Sequence, residues 1–353
     1  MKLLRPAVLL GTIGALCATL ALAAGPASAD PSTPTDYRQL VGTGSDTTQG
    51  VLNSYGNTLR DGSLNRVIAS YDATGSATIK ASASGPTFNR PNGSTNGVKA
   101  LTASINPTNT YLWGGVNIAG QLDFARSSSA PSSSAPGTQL TYIPFARDAV
   151  SFAYADLGNQ SIPSNLTTAQ IAAIYKGEVT SFTAASGATH PYKPILPQAG
   201  SGTRTFFLSS IGVTEAQLIP GLPTLQENDG SQIDAVGEIV PFSVAAWIAQ
   251  DNAVVPNTID AHSVTLGSVG GISPLTPQFK LNPSFTMTRL VFNVVETARL
   301  TANGPKDTLL RDFFVGTDSE ICAVPAVLSL YGFGAIGNLC GNTTTYKSGY
   351  VAP

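Results

Sequence analysis

Charged side chains are scarce in this chain of 353 residues. Lys, Arg, Asp and Glu make up 11% of it, whereas soluble domains carry about 25%. The few charges nearly balance, with 19 basic and 21 acidic residues and a formal net charge of −2. A chain of this kind has no general positive field to attract nucleic acid, so we expect no nucleic-acid partner.

Histidine and cysteine are also rare, which limits the kinds of catalytic site and metal site that the chain can form. The two histidines, His190 and His262, lie in no catalytic motif, and no His or Cys cluster has the spacing of metal ligands. The phosphate-binding pattern G-x-x-x-x-G-K-[ST] is missing. Ser201 lacks the G-x-S-x-G nucleophile elbow, because Ala199 holds the place of the first glycine. We therefore expect no catalytic residue, no metal and no cofactor.

A long apolar run occurs at the N-terminus and nowhere later. Residues 7–24 follow Lys2 and Arg5, and an A-x-A cleavage motif closes with Ala29. This pattern is typical of a signal peptide. We expect residues 1–29 to be removed after Ala29 and the mature chain to be secreted or extracytoplasmic. A membrane anchor is the alternative, but the run is short and interrupted by glycines.

One of the three cysteines lies in the predicted signal peptide, and the other two lie in the mature chain. Cys17 lies in the N-terminal segment and follows Leu16 rather than the small residue that usually precedes a lipid-attached cysteine. We therefore expect no lipid anchor. Cys322 and Cys340 stay in the mature chain, and an oxidising compartment favours a structural disulfide between them.

Strand-like and helix-like patterns alternate along the mature chain. Val51, Leu52, Tyr55 and Leu59 share one helical face, and Ser45 or Asp46 is a plausible N-cap for that helix. The alternation predicts an α/β fold with mainly parallel strands. The predicted strands are 67–71, 122–125, 142–154, 192–196, 237–244 and 285–295; further helices begin at 167–168, after 200 and at 307; residues 82–96 are predicted as a loop.

Four loops at the ends of predicted strands are rich in hydroxyl groups and glycine. Ligands of open α/β sheets bind at the carboxyl ends of the strands, and helix N-termini attract anions. Together the loops predict a site for a small oxyanion, although a serine or threonine before a helix is also an ordinary cap. The candidate residues are Ser45, Asp46 and Thr47; Gly75 and Ser76; Arg126, Ser127 and Ser128; and Ser201, Gly202, Thr203 and Arg204.

The order of these motifs resembles the phosphate-binding receptors of bacterial ABC importers, which have the type II periplasmic-binding-protein fold. The resemblance runs from about Leu40 to about Phe314, with insertions at 82–96 and 127–140. The matching segments are Val41-Gly42-Thr43-Gly44-Ser45-Asp46 (the opening glycine-rich loop), Gly75-Ser76 (the second ligand loop), Asp123 to Pro131 (D-F-G-A-S-D-A-P), Ile171 to Gly177 (the D-I-Y-x-G helix end), Gly200-Ser201-Gly202-Thr203 (the principal anion loop) and Asn228-Asp229-Gly230.

This resemblance implies two α/β lobes that close on a ligand in the cleft between them. We place the crossovers near 144–150 and 240–246, so that 30–146 and 244–353 form lobe one and 147–243 form lobe two. The implied function is an exported solute-binding protein for phosphate or a similar oxyanion, with an ABC permease as partner. We expect a monomer. Ser76, Ser201, Gly202 and Thr203 match the ligand contacts of the family.

Three positions depart from the family pattern. The first-loop threonine falls on Asp46, the aspartate of D-F-G-A-S-D-A-P falls on Ser129, and the arginine before the anion loop falls near Pro197. In the family, the missing aspartate accepts the proton of hydrogen phosphate and so discriminates against sulfate. We hypothesise that Asp46 replaces this acceptor while Arg126 and Arg204 supply positive charge. The alternative is that Asp46 caps the following helix.

Two other functions stay open at this stage. One is an exported binding protein for another ligand, without a transporter. The other is a phosphate-ester hydrolase with a serine nucleophile, which the scarcity of histidine and of metal ligands disfavours.

Overall fold

The computed structural model describes residue 30, residues 36–106, residue 108 and residues 110–353. The predicted signal peptide, its cleavage after Ala29 and Cys17 lie outside the described residues. Among the helices of the described part, none has the length and apolar character needed to cross a membrane.

Seventeen strands form one large sheet and four small ones. The strands are β1 (Leu40–Gly44), β2 (Ile68–Ser70), β3 (Thr78–Lys80), β4 (Thr87–Asn89), β5 (Phe124–Ser127), β6 (Leu140–Ala155), β7 (Asn165–Leu166), β8 (Ser181–Thr183), β9 (Thr189–Pro191), β10 (Lys193–Pro194), β11 (Leu196–Pro197), β12 (Thr224–Leu225), β13 (Glu238–Ser243), β14 (Val264–Leu266), β15 (Ser268–Val269), β16 (Thr288–Glu296) and β17 (Lys347–Ser348) in the described part of the chain. The large sheet has the order β10-β13-β6-β16-β5-β1-β2, and β14 and β17 also pair with β6.

The α-helices lie between these strands, as the alternating pattern predicts. They are α1 (Gln49–Thr58), α2 (Ser94–Ile105), α3 (Thr168–Tyr175), α4 (Gly202–Ser210), α5 (Val244–Asp251), α6 (Pro305–Phe314) and α7 (Pro325–Leu330). The predicted apolar face of α1 is correct, because Val51, Leu52 and Tyr55 are all buried. The loop predicted over 82–96 is wrong in part, since β4 and the start of α2 lie within it.

The large sheet is mixed rather than mainly parallel. Strand β1 runs parallel to β2 and β5, and β10 runs parallel to β13. The central strands β6 and β16 pair antiparallel with each other, and β6 also runs antiparallel to β13. The prediction of mainly parallel strands is therefore wrong, because the two strands at the centre run against their neighbours.

The buried apolar residues confirm two lobes. One cluster extends from Ala149 to Met287, whereas the other two clusters combine residues before 147 with residues of the C-terminal part. Strand β6 supplies residues to both sides and so connects the lobes. The predicted boundary between the lobes at residue 243 stays a prediction. Phe285 and Met287 are buried with the residues of lobe two, which favours a later crossover of the chain back to lobe one, at β16.

Cys322 and Cys340 form the predicted disulfide, with their Cα atoms 5.9 Å apart. Both cysteines are buried in an apolar cluster of lobe one, beside Phe145 and Phe333. The bridge therefore closes an 18-residue loop around α7 and holds it against that cluster.

Replacing both cysteines, as Cys322→Ala with Cys340→Ala, should lower the free energy of unfolding. A closed loop of this length contributes about 3 kcal/mol by restricting the unfolded chain. Urea unfolding of the oxidised protein and the double variant measures the difference. The reduced wild-type protein is the matched control and should unfold like the variant; an unchanged urea midpoint in both would contradict this account.

Candidate functional site

The first predicted loop, after β1, is held in place by a buried arginine. The Ser45 N–H donates to the carbonyl of Arg126 (3.1 Å), while Arg126 Nε donates back to the carbonyl of Ser45 (3.0 Å). Arg126 Nη1 donates to Ser70 Oγ at 2.8 Å. Burial lowers the pKa of Arg126 to about 10, although nearby carboxylates oppose the shift. Arg126 therefore fixes the backbone of the loop beneath the candidate site.

Three buried serines bring their hydroxyl groups together, and we call them the hydroxyl cluster: Ser45, Ser94 and Ser128. Ser128 Oγ lies 3.2 Å from Ser45 Oγ and 3.1 Å from Ser94 Oγ. The Ser128 N–H also donates to Ser94 Oγ at 3.0 Å. The side chains come from the loop after β1, the first residue of α2 and the segment after β5.

Sequence reasoning missed Ser94. Ser94 lies in the segment 82–96 that was predicted as a loop, and Gly93 before it has a positive φ of 89°. The available signal was a glycine, Ser94 and Thr95 directly before the apolar residues of α2. This is the same arrangement as in the predicted anion loops.

The N-terminus of α4 meets the hydroxyl cluster. Ser201 is the N-cap, and its Oγ accepts the Arg204 N–H at 3.1 Å. A Cβ added to Gly202 would crowd Ser94 Oγ and Ser128 Oγ, so glycine is needed for this close approach. The first N–H groups of a helix lack helical partners and carry partial positive charge. Hydroxyl groups and the end of α4 thus form one donor-rich site.

A buried arginine that sequence reasoning missed lies beside Thr203. Arg289, from β16, donates through Nη2 to Thr203 Oγ1 at 2.9 Å and pairs with Asp148 at 2.8 Å. The same nitrogen lies 3.3 Å from Thr47 Oγ1. Arg289 is 7% exposed, and its Nη1 has no partner among the described residues. A single charged residue within an apolar strand was the signal in the sequence.

A carboxylate already occupies one of the N–H groups of α4. Glu227 Oε1 accepts the Thr203 N–H at 3.0 Å and the Thr47 hydroxyl at 3.3 Å. Glu227 is 1% exposed, and its Oε2 has no partner among the described residues. The sequence offered no specific signal for this side chain. The Thr203 N–H of the predicted anion loop is therefore already bound by the carboxyl group of Glu227.

Asp46 does not cap α1. The N-cap is Thr48, without a side-chain capping bond, and Asp46 Oδ1 instead accepts from Asn228 Nδ2 at 2.9 Å. Burial, followed by the repulsion of Glu227, raises the pKa of Asp46 to about 8. Capping was the alternative interpretation of Asp46, and the structure contradicts it.

Three other candidates make their contacts outside the hydroxyl cluster. Ser76 is exposed; its Oγ donates to the carbonyl of Thr78 and accepts from Arg90 Nη2, both at 2.7 Å. Arg204 Nε donates to Glu215 at 2.8 Å, so its charge is paired there rather than in the site as hypothesised. Ser127 Oγ donates to the carbonyl of its own loop, two residues later, at 2.8 Å.

Acidic, histidine and cysteine side chains form no group of three or more that could hold a metal ion, within the residues that the structure describes.

Comparison with known proteins identifies a family. Residues 29–254, more than half of the chain, match the family model described as the PBP superfamily domain. No curated protein sequence matches this chain.

Several solved structures share the fold. A substrate-binding protein from Clostridium perfringens, assigned to phosphate ABC transport and solved with bound phosphate, is 16% identical; the match covers 84% of this chain and 99% of that one, with a TM-score of 0.57. An ABC-type phosphate transport receptor from Vibrio cholerae is 16% identical over 84% and 100%, with a TM-score of 0.53. The periplasmic phosphate-binding protein PfluDING, bound with phosphate, is 14% identical over 84% and 90%, with a TM-score of 0.51.

The raised pKa of Asp46 predicts a pH dependence of stability with a definite sign. The folded protein keeps a proton on Asp46 up to about pH 8, whereas the unfolded chain releases it near about pH 4. Rising pH within this window therefore destabilises the folded state, by at most about 1.4 kcal/mol per pH unit. Asp46→Asn should remove this loss.

Urea unfolding between about pH 5 and about pH 8 tests the sign. The control is Asp251→Asn, which alters an exposed aspartate at the end of α5. It should follow the wild-type pH dependence, while Asp46→Asn should show a flatter one. Equal slopes for all three proteins would contradict the assignment.

Proposed function

This chain belongs to the PBP superfamily, and from that premise we propose that it is an exported solute-binding protein that captures phosphate or a related oxyanion. The observation that carries the proposal is the convergence of the hydroxyl cluster on Gly202 at the N-terminus of α4. Hydroxyl groups and an N–H group at the N-terminus of a helix are suitable donors to an oxyanion.

The donors come from both lobes, which supports a ligand held between them. The hydroxyl cluster belongs to lobe one and α4 to lobe two. Backbone and side-chain bonds link the same two regions: the Thr95 N–H donates to the carbonyl of Gly200 at 3.1 Å, and Gln198 Nε2 donates to Asn92 Oδ1 at 2.9 Å. Closure of two lobes would therefore bring the donor groups together around the anion.

The charges of the site favour binding over catalysis. The cationic group next to the anion loop is Arg289, whose Nη1 has no partner among the described residues. The serines of the cluster bond one another, and none bonds a histidine or a carboxylate within the residues that the structure describes, so none has there the general base that an attacking serine needs.

The selectivity of the site follows from its hydroxyl groups. A hydroxyl both donates and accepts, so the cluster can accept a hydrogen bond from the O–H group of hydrogen phosphate and can equally donate hydrogen bonds to sulfate. Asp46 is a poor replacement for the family's acceptor, because its raised pKa leaves it protonated at neutral pH. We therefore propose a tetrahedral-oxyanion site in which sulfate competes with phosphate.

Isothermal titration calorimetry with phosphate tests this proposal. Ser94→Ala and Ser128→Ala should each weaken phosphate binding by about tenfold or more, because a hydrogen bond to a charged ligand contributes about 1.5–3 kcal/mol. The matched control is Ser76→Ala, an exposed serine held by Arg90, which should leave the affinity unchanged. An absence of heat with both phosphate and sulfate, or an equal loss in all three variants, would sink the proposal.

Export of the chain is proposed together with delivery of the ligand to an ABC permease. Cleavage after Ala29 would make Asp30 the first residue, and Asp30 pairs with Arg90 at 2.6 Å. The new terminus would thus be held against lobe one rather than left loose.

Secretion of the full-length chain from a bacterial host should yield a mature protein beginning at Asp30. Intact mass and N-terminal sequencing of the medium and of the cell fraction measure this outcome. A change of Ala27 and Ala29 to Arg is the control, since it should block cleavage. A protein that keeps residues 1–29 in the wild-type form would contradict the expected processing.

A further inference from the structure

A cavity of about 340 Å³ lies next to α1 and α5, and no serine of the hydroxyl cluster lines it. Its volume falls in the range of small-molecule sites, about 300–1,000 Å³. Four acidic residues line it, and no basic side chain is among the described residues of its wall. The acidic residues are Asp46, Asp72, Glu227 and Asp229.

Two buried acceptors in this wall lack donors. Glu227 Oε2 and Asn53 Oδ1 have no hydrogen-bond partner among the described residues, although the two side chains are 1% and 8% exposed. The other amide atom of Asn53 is used, since Nδ2 donates to Asp72 Oδ1 at 2.9 Å. A buried acceptor without a donor costs about 1–3 kcal/mol. A guest that brings N–H or O–H groups would satisfy both acceptors.

The electrostatics of the cavity specify the charge of that guest. Burial and the repulsion of Glu227 raise the pKa of Asp46 to about 8, and Asp72 adds to the rise. Arg126 and the amide of Asn228 oppose it and do not cancel it. A cation in the cavity would relieve this repulsion.

One wall of the cavity is apolar and aromatic. Tyr331 and Phe333 line it together with Val254, Val255 and Pro256. Aromatic faces attract cations, and the aliphatic side chains suit a short hydrocarbon stem. A bare inorganic cation would use neither of these surfaces.

We propose that this cavity is a second ligand site, which binds a small organic compound through a primary ammonium group. The ammonium donates to Glu227 Oε2 and Asn53 Oδ1, and its hydrocarbon stem packs against Val255 and Tyr331. This site goes beyond the proposed oxyanion function. Glu227 adjoins both sites, because its Oε1 accepts the Thr203 N–H, but the ammonium uses Glu227 Oε2 and Asn53 Oδ1 rather than any group of the hydroxyl cluster.

Calorimetry of the wild-type protein with putrescine, a diamine, tests the site directly. Putrescine should bind, while choline should bind at least about tenfold more weakly, because its quaternary nitrogen has no N–H to donate to the two acceptors. Equal affinity for the two compounds, or no heat with putrescine, would overturn the proposal.

Variants of the wall locate the site. Glu227→Gln keeps the shape of the side chain and should weaken putrescine binding by about tenfold or more. Asp72→Asn is the second variant if Glu227→Gln fails to fold, and should act in the same direction. The control is Asp251→Asn, an exposed acid outside the wall, which should bind putrescine normally. An equal loss in the control would indicate non-specific attraction and overturn the proposal.

Two further readouts separate this site from the oxyanion site. Ser94→Ala and Ser128→Ala should keep their putrescine affinity whatever they do to phosphate; loss of putrescine binding in these two variants would mean one shared site and overturn the proposal. Putrescine binding near neutral pH should also release protons from Asp46, measured from heats in buffers of different ionisation enthalpy. Heats that do not depend on the buffer would contradict a cation beside Asp46.

Discussion

The buried ion pair between Asp148 and Arg289 lies where the two lobes meet, and much of the candidate site depends on it. The two residues face each other in the antiparallel register of β6 and β16. Asp148 also accepts from the Ser243 hydroxyl and the Ala245 N–H, both at 3.0 Å, and so fixes the start of α5. Arg289 in turn reaches Thr203 at the start of α4. One pair thus sets the positions of two helix N-termini.

Such a pair contributes more to arrangement than to stability. Removing two charges from water costs several kcal/mol for each ion, and their attraction regains this only when the other hydrogen-bonding groups are satisfied. Asp148 meets this condition through its bonds to Ser243 and Ala245, whereas Arg289 keeps Nη1 without a partner among the described residues. Arg289 Nη1 is thus the one hydrogen-bonding group of the pair's two side chains that has no partner within the described part of the chain.

Several of the few charged residues are buried. In a chain with 11% charged residues, Arg126, Asp148, Glu227 and Arg289 are nevertheless buried. Arg126 holds a loop, the ion pair holds two helices, and Glu227 occupies a helical N–H group. These four buried charges lie near the junction of the lobes, where a low dielectric strengthens their effect.

Local patterns in the sequence were sufficient to predict several helices and strands near the candidate site. The helical face of α1, the long strand β6 and the capped start of α4 were predicted because each depends on neighbours within a few residues. The prediction of a parallel sheet failed, because strand direction depends on how β6 and β16 pair across the lobes.

From the sequence alone we predicted a site of hydroxyl-rich and glycine-rich loops before helices, the disulfide and the family resemblance. Which of these loops meet depends on the tertiary fold. It brings Ser94 to Ser45 and Ser128, pairs Arg204 with Glu215, and places Glu227 and Arg289 beside Thr203. The reason is physical: a hydroxyl before a helix is recognised from its neighbours, whereas a charge finds its partner through contacts between residues far apart in the chain.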